Sequence, residues 1–379
     1  MKSLLHHLSC RKTVRPRRYP SKGFDLLPAD KLLEEETTPN YNASNYYPVK
    51  IGQVLHDKYQ VVSKLGFGAN ATVWLCRDLT KNSLYAIKVY TSNHDTSCQV
   101  AVSESIKTIV GSHPGRGSLQ TVKDSFQISG AIGFSHDCLV FDPMGVSYTQ
   151  LQDAAPNRGL SNDLIYKYAT SILYALGFLH HIGIIHGAVS SDNIRLSVDH
   201  KVEITNIEAA EIAHPSPRKV LPDRTIYSSY IMPITPGSPV LCNFFASLLG
   251  KPRQTHPGIT LTSGTHCAPE MVLKMEFDCK TDVWSFGVLM WQLVTGKPLF
   301  RSHIPGQQSN DAPYLAEIVS LIGPPSAQFL QRNRSCYNIG IPMVRKSWLC
   351  IFLCSLQQET GPSPPHQSHS NASKISIPG

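Results

Sequence analysis

Three closely spaced segments with alternating apolar residues limit most strongly what this chain can fold into. Residues 59–65 alternate, a glycine turn follows, and residues 72–76 resume the alternation. Residues 84–90 repeat the pattern after a short polar interval. Alternation with a period of two is typical of strands with one buried face. The sequence therefore predicts an antiparallel meander, with a further buried strand at residues 138–141.

The second half of the chain has a helical pattern. Apolar residues recur at helical spacing over residues 164–179, with Ser161 or Asn162 as the N-cap and Gly183 as the stop. Residues 282–295 form a second helical pattern that is apolar on nearly every face, which is typical of a helix in the middle of a lobe. Strands first and helices later predict an α+β protein in two segregated parts.

The positive charge of the chain is concentrated at its N-terminus. The formal net charge is +8, and seven basic residues precede the first acidic residue, Asp25. These are Lys2, Arg11, Lys12, Arg15, Arg17, Arg18 and Lys22. The rest of the chain is nearly neutral, so no direct nucleic-acid partner is expected for the domain. The basic segment has the features of a disordered tail, and a mitochondrial-type targeting segment or a nucleic-acid-contacting arm stays open.

Composition excludes several classes of protein. A hydrophobic content of 41% and a charged content of 16% are typical of globular proteins. The ten cysteines form no CxxC pair, which argues against zinc and favours reduced thiols in a cytoplasmic or nuclear setting. No run approaches the ~18 apolar residues of a membrane-spanning helix, so no membrane partner is expected.

Three features in this order indicate a phosphate-binding site. Gly66 and Gly68, between two strands, would let the backbone lie close over phosphate groups. Lys88, on the third strand, would point inward and could pair with those phosphates. Glu104, on the following helix, is the natural ion-pair partner for this lysine. Each is weak alone, since glycine hairpins and strand lysines are common, but together they are a strong signal.

With further motifs, the chain resembles the protein kinases, and in detail the fungal branch of the SR-protein kinases. The motifs are Ala86-Ile-Lys88, His186-Gly-Ala-Val-Ser-Ser-Asp-Asn193, Ala268-Pro-Glu270, Asp282-Val-Trp-Ser-Phe-Gly287 and an insert that contains residues 215–227. This resemblance implies a bilobal kinase-like fold with an antiparallel β N-lobe and a mostly helical C-lobe. It also implies ATP and Mg²⁺ as cofactors and Arg/Ser-rich splicing-type proteins as partners.

The resemblance assigns roles to individual residues. It implies that Phe141 is the gatekeeper behind the adenine, that Asp142 opens the hinge and that His186 supports the catalytic loop by hydrogen bonding. The implied ATP-binding residues are Leu65, Gly66, Phe67, Gly68, Val73, Ala86, Lys88, Glu104, Phe141 and Asp142.

The chain departs from the family pattern at the residues that carry negative charge. The position of the catalytic Asp, which accepts the proton of the substrate hydroxyl, holds Ala188. The position of the metal-binding Asp holds Asn243, and Phe245 replaces the glycine that follows in the family pattern. Asn193, which would hold one Mg²⁺, is kept, so Asn193 and Asn243 are the weak candidate metal ligands. Asp192 is a neighbour that could compensate for one of these losses.

The sequence divides into four parts. Residues 1–48 are predicted to be a leader, basic and then acidic, that is extended or disordered. Residues 49–143 are predicted to form the nucleotide-binding N-lobe. Residues 144–338 are predicted to form an incomplete C-lobe with a family insert at about 199–240. Residues 339–379 are unrelated to the family and have the composition of a disordered tail. An uncovered apolar helix at 282–295 would expose a patch to solvent.

Three functions stay open at this point. The first is a pseudokinase that binds ATP through Gly66, Gly68, Lys88 and Glu104 but transfers phosphate poorly. The second is an active, divergent Ser/Thr kinase that acts on Ser of Arg/Ser-rich proteins. The third is a truncated product without function. The oligomeric state is left open.

Overall fold

Six antiparallel strands form the main sheet of the first part of the computed structural model. The structure describes residues 14–92, 94–130, 133–198, 203–250, 266–301 and 311–332. The strands are β1 Val54–Leu55, β2 Tyr59–Gly68, β3 Ala71–Asp78, β4 Ser83–Tyr90, β5 Asp124–Ser129 and β6 Ser135–Phe141, in the spatial order β1-β2-β3-β4-β6-β5. Helix α1, Ser97–Thr108, connects β4 to the second half of the sheet.

Both faces of this sheet are buried. Successive residues on a strand point to opposite faces, so Val61 packs with Trp74 and Ile87 on one face. Its neighbour Val62 packs with Leu75 on the other face. The two faces therefore need separate covers, which the leader and the insert supply.

The second part of the fold is mostly helical. It contains α2 Tyr148–Ala154, α3 Asn162–His181, α4 Glu203–Ala213, α5 Pro269–Val272 and α6 Lys280–Thr295. The short strands are β7 Met144–Ser147, β8 Ile184–Ile185, β9 Ile194–Ser197, β10 Arg218–Val220, β11 Thr225–Tyr227, β12 Pro239–Leu241 and β13 Leu248–Leu249. They pair as β12-β9-β7, β13-β8 and β10-β11. The predicted α+β class with an antiparallel sheet and a helical part is confirmed.

Local signals set the ends of the two long helices. The Ser161 side chain accepts a hydrogen bond from the backbone N–H of Leu164 and caps α3. Gly296, with φ of +69°, ends α6 in the left-handed conformation that glycine adopts without strain. Leu289 and Leu293 of α6 are buried, whereas Val283 and Val294 are more than half exposed, so this helix presents an apolar face to solvent.

The insert contains a helix and a hairpin, and both pack against other parts of the fold. Helix α4 packs Ile204 and Ile207 against Val62 and Leu75 of the sheet. The hairpin β10–β11 follows, and the backbone of Arg218 exchanges hydrogen bonds with Asp25 and Leu27 of the leader. These partners lie almost two hundred positions away in sequence, so local composition could not predict the hairpin.

The described part of the leader, residues 14–48, packs against the sheet and the insert. Glu35 forms a buried ion pair with Lys64 of β2, and Glu36 pairs with Lys219 of β10 at 2.9 Å. Burial strengthens such pairs, since water no longer screens them. The composition of the leader does not reveal these contacts, because the partners lie far along the chain. Residues 1–13 lie outside the described residues.

The second unit of the chain begins at Asn310, and its described residues form two helices. These are α7 Asp311–Ile322 and α8 Ala327–Leu330. Ser326 caps α8, because its side chain accepts a hydrogen bond from the backbone N–H of Phe329. Among the described residues, no helix is long and apolar enough to cross a membrane. The predicted tail at 339–379 lies outside the described residues.

Candidate functional site

A cleft of about 390 Å³ opens between the glycine hairpin at the β2–β3 turn and strands β9 and β12. Apolar side chains form much of its wall, which suits a flat aromatic group. Of the ten ATP-binding residues that the sequence implies, all but Glu104 and Asp142 line this cleft. They are Leu65, Gly66, Phe67, Gly68, Val73, Ala86, Lys88 and Phe141.

Gly66 and Gly68 of the glycine hairpin both line the cleft. A Cβ atom at either position would meet no protein atom within 4 Å, so the backbone is uncrowded there. The Tyr46 hydroxyl lies 3.1 Å from the carbonyl oxygen of Gly68 and 2.7 Å from that of Ala69. These hydrogen bonds connect the tip of the glycine hairpin to the leader. The leader therefore supports one wall of the cleft.

Lys88 reaches the cleft because of strand alternation. Ala86, Lys88 and Tyr90 follow each other on one face of β4 and all line the cleft. The Nζ atom of Lys88 lies 3.5 Å from Oδ1 of Asn243, and among the described residues no carboxylate oxygen lies within 4 Å of it. Burial, together with the nearby Arg195 guanidinium, lowers the pKa of Lys88 to about 8.

Glu104 does not pair with Lys88, which corrects the prediction. The buried face of α1 consists of Gln99, Val102, Ser103 and Ile106, at helical spacing. Glu104 follows Ser103, so it lies about 100° around the helix from this face and points to solvent. It pairs instead with Lys107 at 2.8 Å.

Asp142 also lies apart from the lining residues. Its carboxylate pairs with Lys123 at 2.8 Å and is partly exposed. Its backbone carbonyl accepts a hydrogen bond from the Gln120 side chain, which does line the cleft. The side chain of Asp142 is therefore turned to the surface.

A buried carboxylate holds the loop that begins at His186. Both oxygens of Asp282 accept backbone hydrogen bonds at 2.8 Å, one from His186 and one from Gly187. Gly187 has φ of +73°, and a Cβ there would lie 2.5 Å from the Ala246 carbonyl oxygen. The His186 ring accepts a hydrogen bond from the backbone N–H of Ala188, and it contacts the Cys242 carbonyl oxygen at 3.1 Å. Burial lowers the pKa of His186. The His186 ring and the Asp282 side chain thus fix this loop through hydrogen bonds to its backbone.

Two side-chain amides and one carbonyl form a continuous chain beside this loop, which we call the amide chain. The Asn243 amide donates to Oδ1 of Asn193 at 3.0 Å. The Asn193 amide donates in turn to the carbonyl oxygen of Ala188 at 2.8 Å. Asn243 has φ of +73°, a left-handed conformation that asparagine tolerates better than most residues. The amide chain therefore begins at the Lys88 ammonium and ends at position 188.

The donor set of this site does not fit Mg²⁺. Magnesium favours an octahedral shell of oxygen ligands, with carboxylates to neutralise its charge. Here the amide oxygens of Asn193 and Asn243 already face protein donors, and Ala188 provides only a buried methyl group and its carbonyl. Within the described residues, no group of three or more His, Cys, Asp and Glu side chains is arranged to hold a metal ion.

Sequence reasoning missed several lining residues, of which Arg195 matters most. Arg195 lies on β9 two positions after Asn193, and both line the cleft, whereas Ile194 and Leu196 between and after them are buried in the core. Its Nη1 donates to the Gly145 carbonyl at 3.2 Å. The alternation of β9 was a signal that could have found it. Met144, Met232 and Cys242 also line the cleft.

Comparisons with known proteins agree with this geometry. The protein kinase domain model matches residues 59–233, and the model of protein tyrosine and serine/threonine kinases matches residues 252–312. A serine/threonine protein kinase of Aspergillus fumigatus is 33% identical over 90% of this chain and 83% of its own length. The chain belongs to the protein-kinase family. This family membership establishes the fold of the chain and shows that the cleft corresponds to the cleft of protein kinases.

Within the kinases, the chain is similar to the SR-protein kinases. The serine/threonine-protein kinase SRPK of Physarum polycephalum is 25% identical over 79% of this chain and 75% of its own length. SRSF protein kinase 3 of Mus musculus is 34% identical over 47% of this chain and 34% of its own length. A kinase-domain crystal structure superposes with a TM-score of 0.58 at 21% identity, covering 82% of this chain and 87% of the other. The predicted kinase resemblance is confirmed.

Proposed function

We propose that this kinase relative is a pseudokinase of the SR-protein-kinase type, which binds ATP and transfers its phosphate poorly. The observation that carries the proposal is the amide chain. A glycine hairpin, a lysine and apolar walls remain on the nucleotide side of the cleft, while positions 188 and 243 hold no carboxylate. Loss of a general base typically costs about 10²–10⁴-fold in rate.

The partners that we propose are Arg/Ser-rich proteins. This proposal rests on similarity to SRSF protein kinase 3 and to the serine/threonine-protein kinase SRPK. A protein that binds such partners and a nucleotide without efficient transfer would act as a scaffold rather than as a catalyst. Retention of a synthetic Arg-Ser repeat peptide on the immobilised chain tests this binding, and a scrambled peptide of equal charge is its control.

An active kinase is the second candidate, because Asp192 lines the cleft beside Asn193. This carboxylate could supply one missing negative charge. Magnesium-dependent phosphorylation of an Arg-Ser peptide that is abolished by Lys88→Met would establish this candidate and overturn the pseudokinase proposal.

Nucleotide binding is tested by thermal unfolding with and without saturating ATP. A ligand at about 100 times its Kd stabilises the folded state by about 2.7 kcal/mol, which raises the Tm by a few degrees. We expect this shift in the natural chain and its loss in Lys88→Met. Lys123→Met, which removes a partly exposed lysine outside the cleft, should keep the shift. A sharp transition that ATP does not move would contradict nucleotide binding, and a chain without any cooperative transition would be the non-functional product.

The affinity for ATP is expected to fall as the pH rises through about 8. The pKa of Lys88 is lowered to about 8, so its ammonium is present below this pH and is lost above it. Binding a polyphosphate needs the charged form, so above pH 8 the affinity should decrease by up to about tenfold per pH unit. Calorimetric titrations between pH 7 and 10 measure this dependence, and Lys123→Met, which keeps Lys88, should show the same decrease as the natural chain. A natural chain whose affinity does not change over this range would exclude Lys88 from the phosphate site.

A further inference from the structure

The cleft carries positive charge that the protein does not neutralise. Lys88 and Arg195 both line it, and among the described residues neither has a carboxylate oxygen within 4 Å. Asp192 is the acidic side chain among the lining residues. A ligand that satisfies both cations must bring negative charge.

The place where a metal would bind is taken by protein groups. The Lys88 ammonium faces Oδ1 of Asn243 at 3.5 Å, and the Asn243 amide donates to Oδ1 of Asn193. A dication in this place would have to break the amide chain and lie next to a like charge. Neither asparagine could offset its charge, because an amide offers an oxygen dipole only.

We propose that the cleft binds its nucleotide as the metal-free polyphosphate, with the Lys88 ammonium in the place of magnesium. This proposal rests on the proposed function, because it specifies the ionic form of the same ligand. A metal-free triphosphate carries two more negative charges than its magnesium complex, so Lys88 and Arg195 attract it more strongly. Arg195 is then a specificity-determining residue for the charge of the ligand.

The test compares the affinity for ATP in excess EDTA with that in excess magnesium chloride, by isothermal titration calorimetry. We expect binding about tenfold or more tighter in EDTA, because magnesium neutralises the charge that the cleft recognises. Arg195→Leu should reduce this ratio. Arg116→Leu should leave it unchanged, since Arg116 likewise donates to backbone carbonyls, those of Lys107 and Ile109, but lies outside the cleft.

A second variant, Asn243→Asp, tests the proposal if Arg195→Leu fails to fold. Asn243→Asp breaks the amide chain and adds a carboxylate beside Lys88, so it should shift the preference towards the magnesium complex. Equal or tighter binding to the natural chain in magnesium would overturn the metal-free form while leaving the proposed function intact. Absence of binding in both conditions would overturn the proposed function itself.

Discussion

Carboxylates placed together at positions 188 and 243 are expected to raise magnesium-dependent phosphoryl transfer by about 10²–10⁴-fold over the natural chain. Ala188→Asp restores a group that can accept the proton of a substrate hydroxyl. Asn243→Asp supplies negative charge for Mg²⁺ and ends the amide chain from Asn243 to the Ala188 carbonyl. Phosphorylation of an Arg-Ser peptide with labelled ATP measures the gain.

Matched variants separate charge from shape in this experiment. Ala188→Asn in the natural Asn243 background has the size of the aspartate variant without its charge, so it should give no gain. Each single aspartate variant should gain less than the double variant, because base and metal act in the same step. Thermal unfolding of every variant verifies that position 188, which is buried, tolerates the larger side chain. A folded double variant that is no faster than the natural chain would show that these two positions do not limit transfer.

Glu208→Ala is expected to destabilise the folded chain by about 3–5 kcal/mol, the largest effect on stability that we predict. Glu208 is 1% exposed, and its carboxylate pairs with the buried Arg77 and with Arg17. The Tyr19 hydroxyl donates to it as well, at 2.9 Å. Removal of the carboxylate leaves the Arg77 guanidinium buried without its counter-charge. Urea denaturation followed by circular dichroism measures the loss.

Glu104→Ala is the matched control, since it also removes a helical glutamate. Glu104 is exposed, and within the described part of the chain its ion-pair partner is Lys107 of the same helix, so this variant should lose about 0.3–0.5 kcal/mol. It should also keep the nucleotide-dependent stabilisation, because Glu104 lies away from Lys88. If the two glutamate variants had equal free energies of unfolding, the buried ion pairs of Glu208 would stabilise the fold no more than the surface pair of Glu104.

Local pattern predicted much of the fold. Strand alternation placed Lys88 in the cleft, and a serine and a glycine marked the ends of the long helices, because each signal acts within a few residues. Glu104 was misplaced because one position along a helix is a rotation of about 100°. The alternation on β9 also places Arg195 on the same side of the strand as Asn193, in the cleft.

Contacts between distant segments could not be predicted in this way. The leader folds against Lys64, Lys219 and Glu208, and nothing in its composition identifies these partners. The amide chain likewise joins residues fifty positions apart. Substitutions at 188 and 243 were visible in the sequence, but the hydrogen bonds between the remaining groups needed the fold.

The hydroxyl of Tyr46 links two equilibria. It fastens the tip of the glycine hairpin to the leader through the carbonyl oxygens of Gly68 and Ala69. A protein or modification that detached the leader would free the hairpin, and we expect this to change the affinity of the cleft for the proposed nucleotide. Thermodynamic reciprocity would then require that the nucleotide alter the docking of the leader by the same factor. Occupancy of the cleft would in that case be detectable at the leader without any transfer of phosphate.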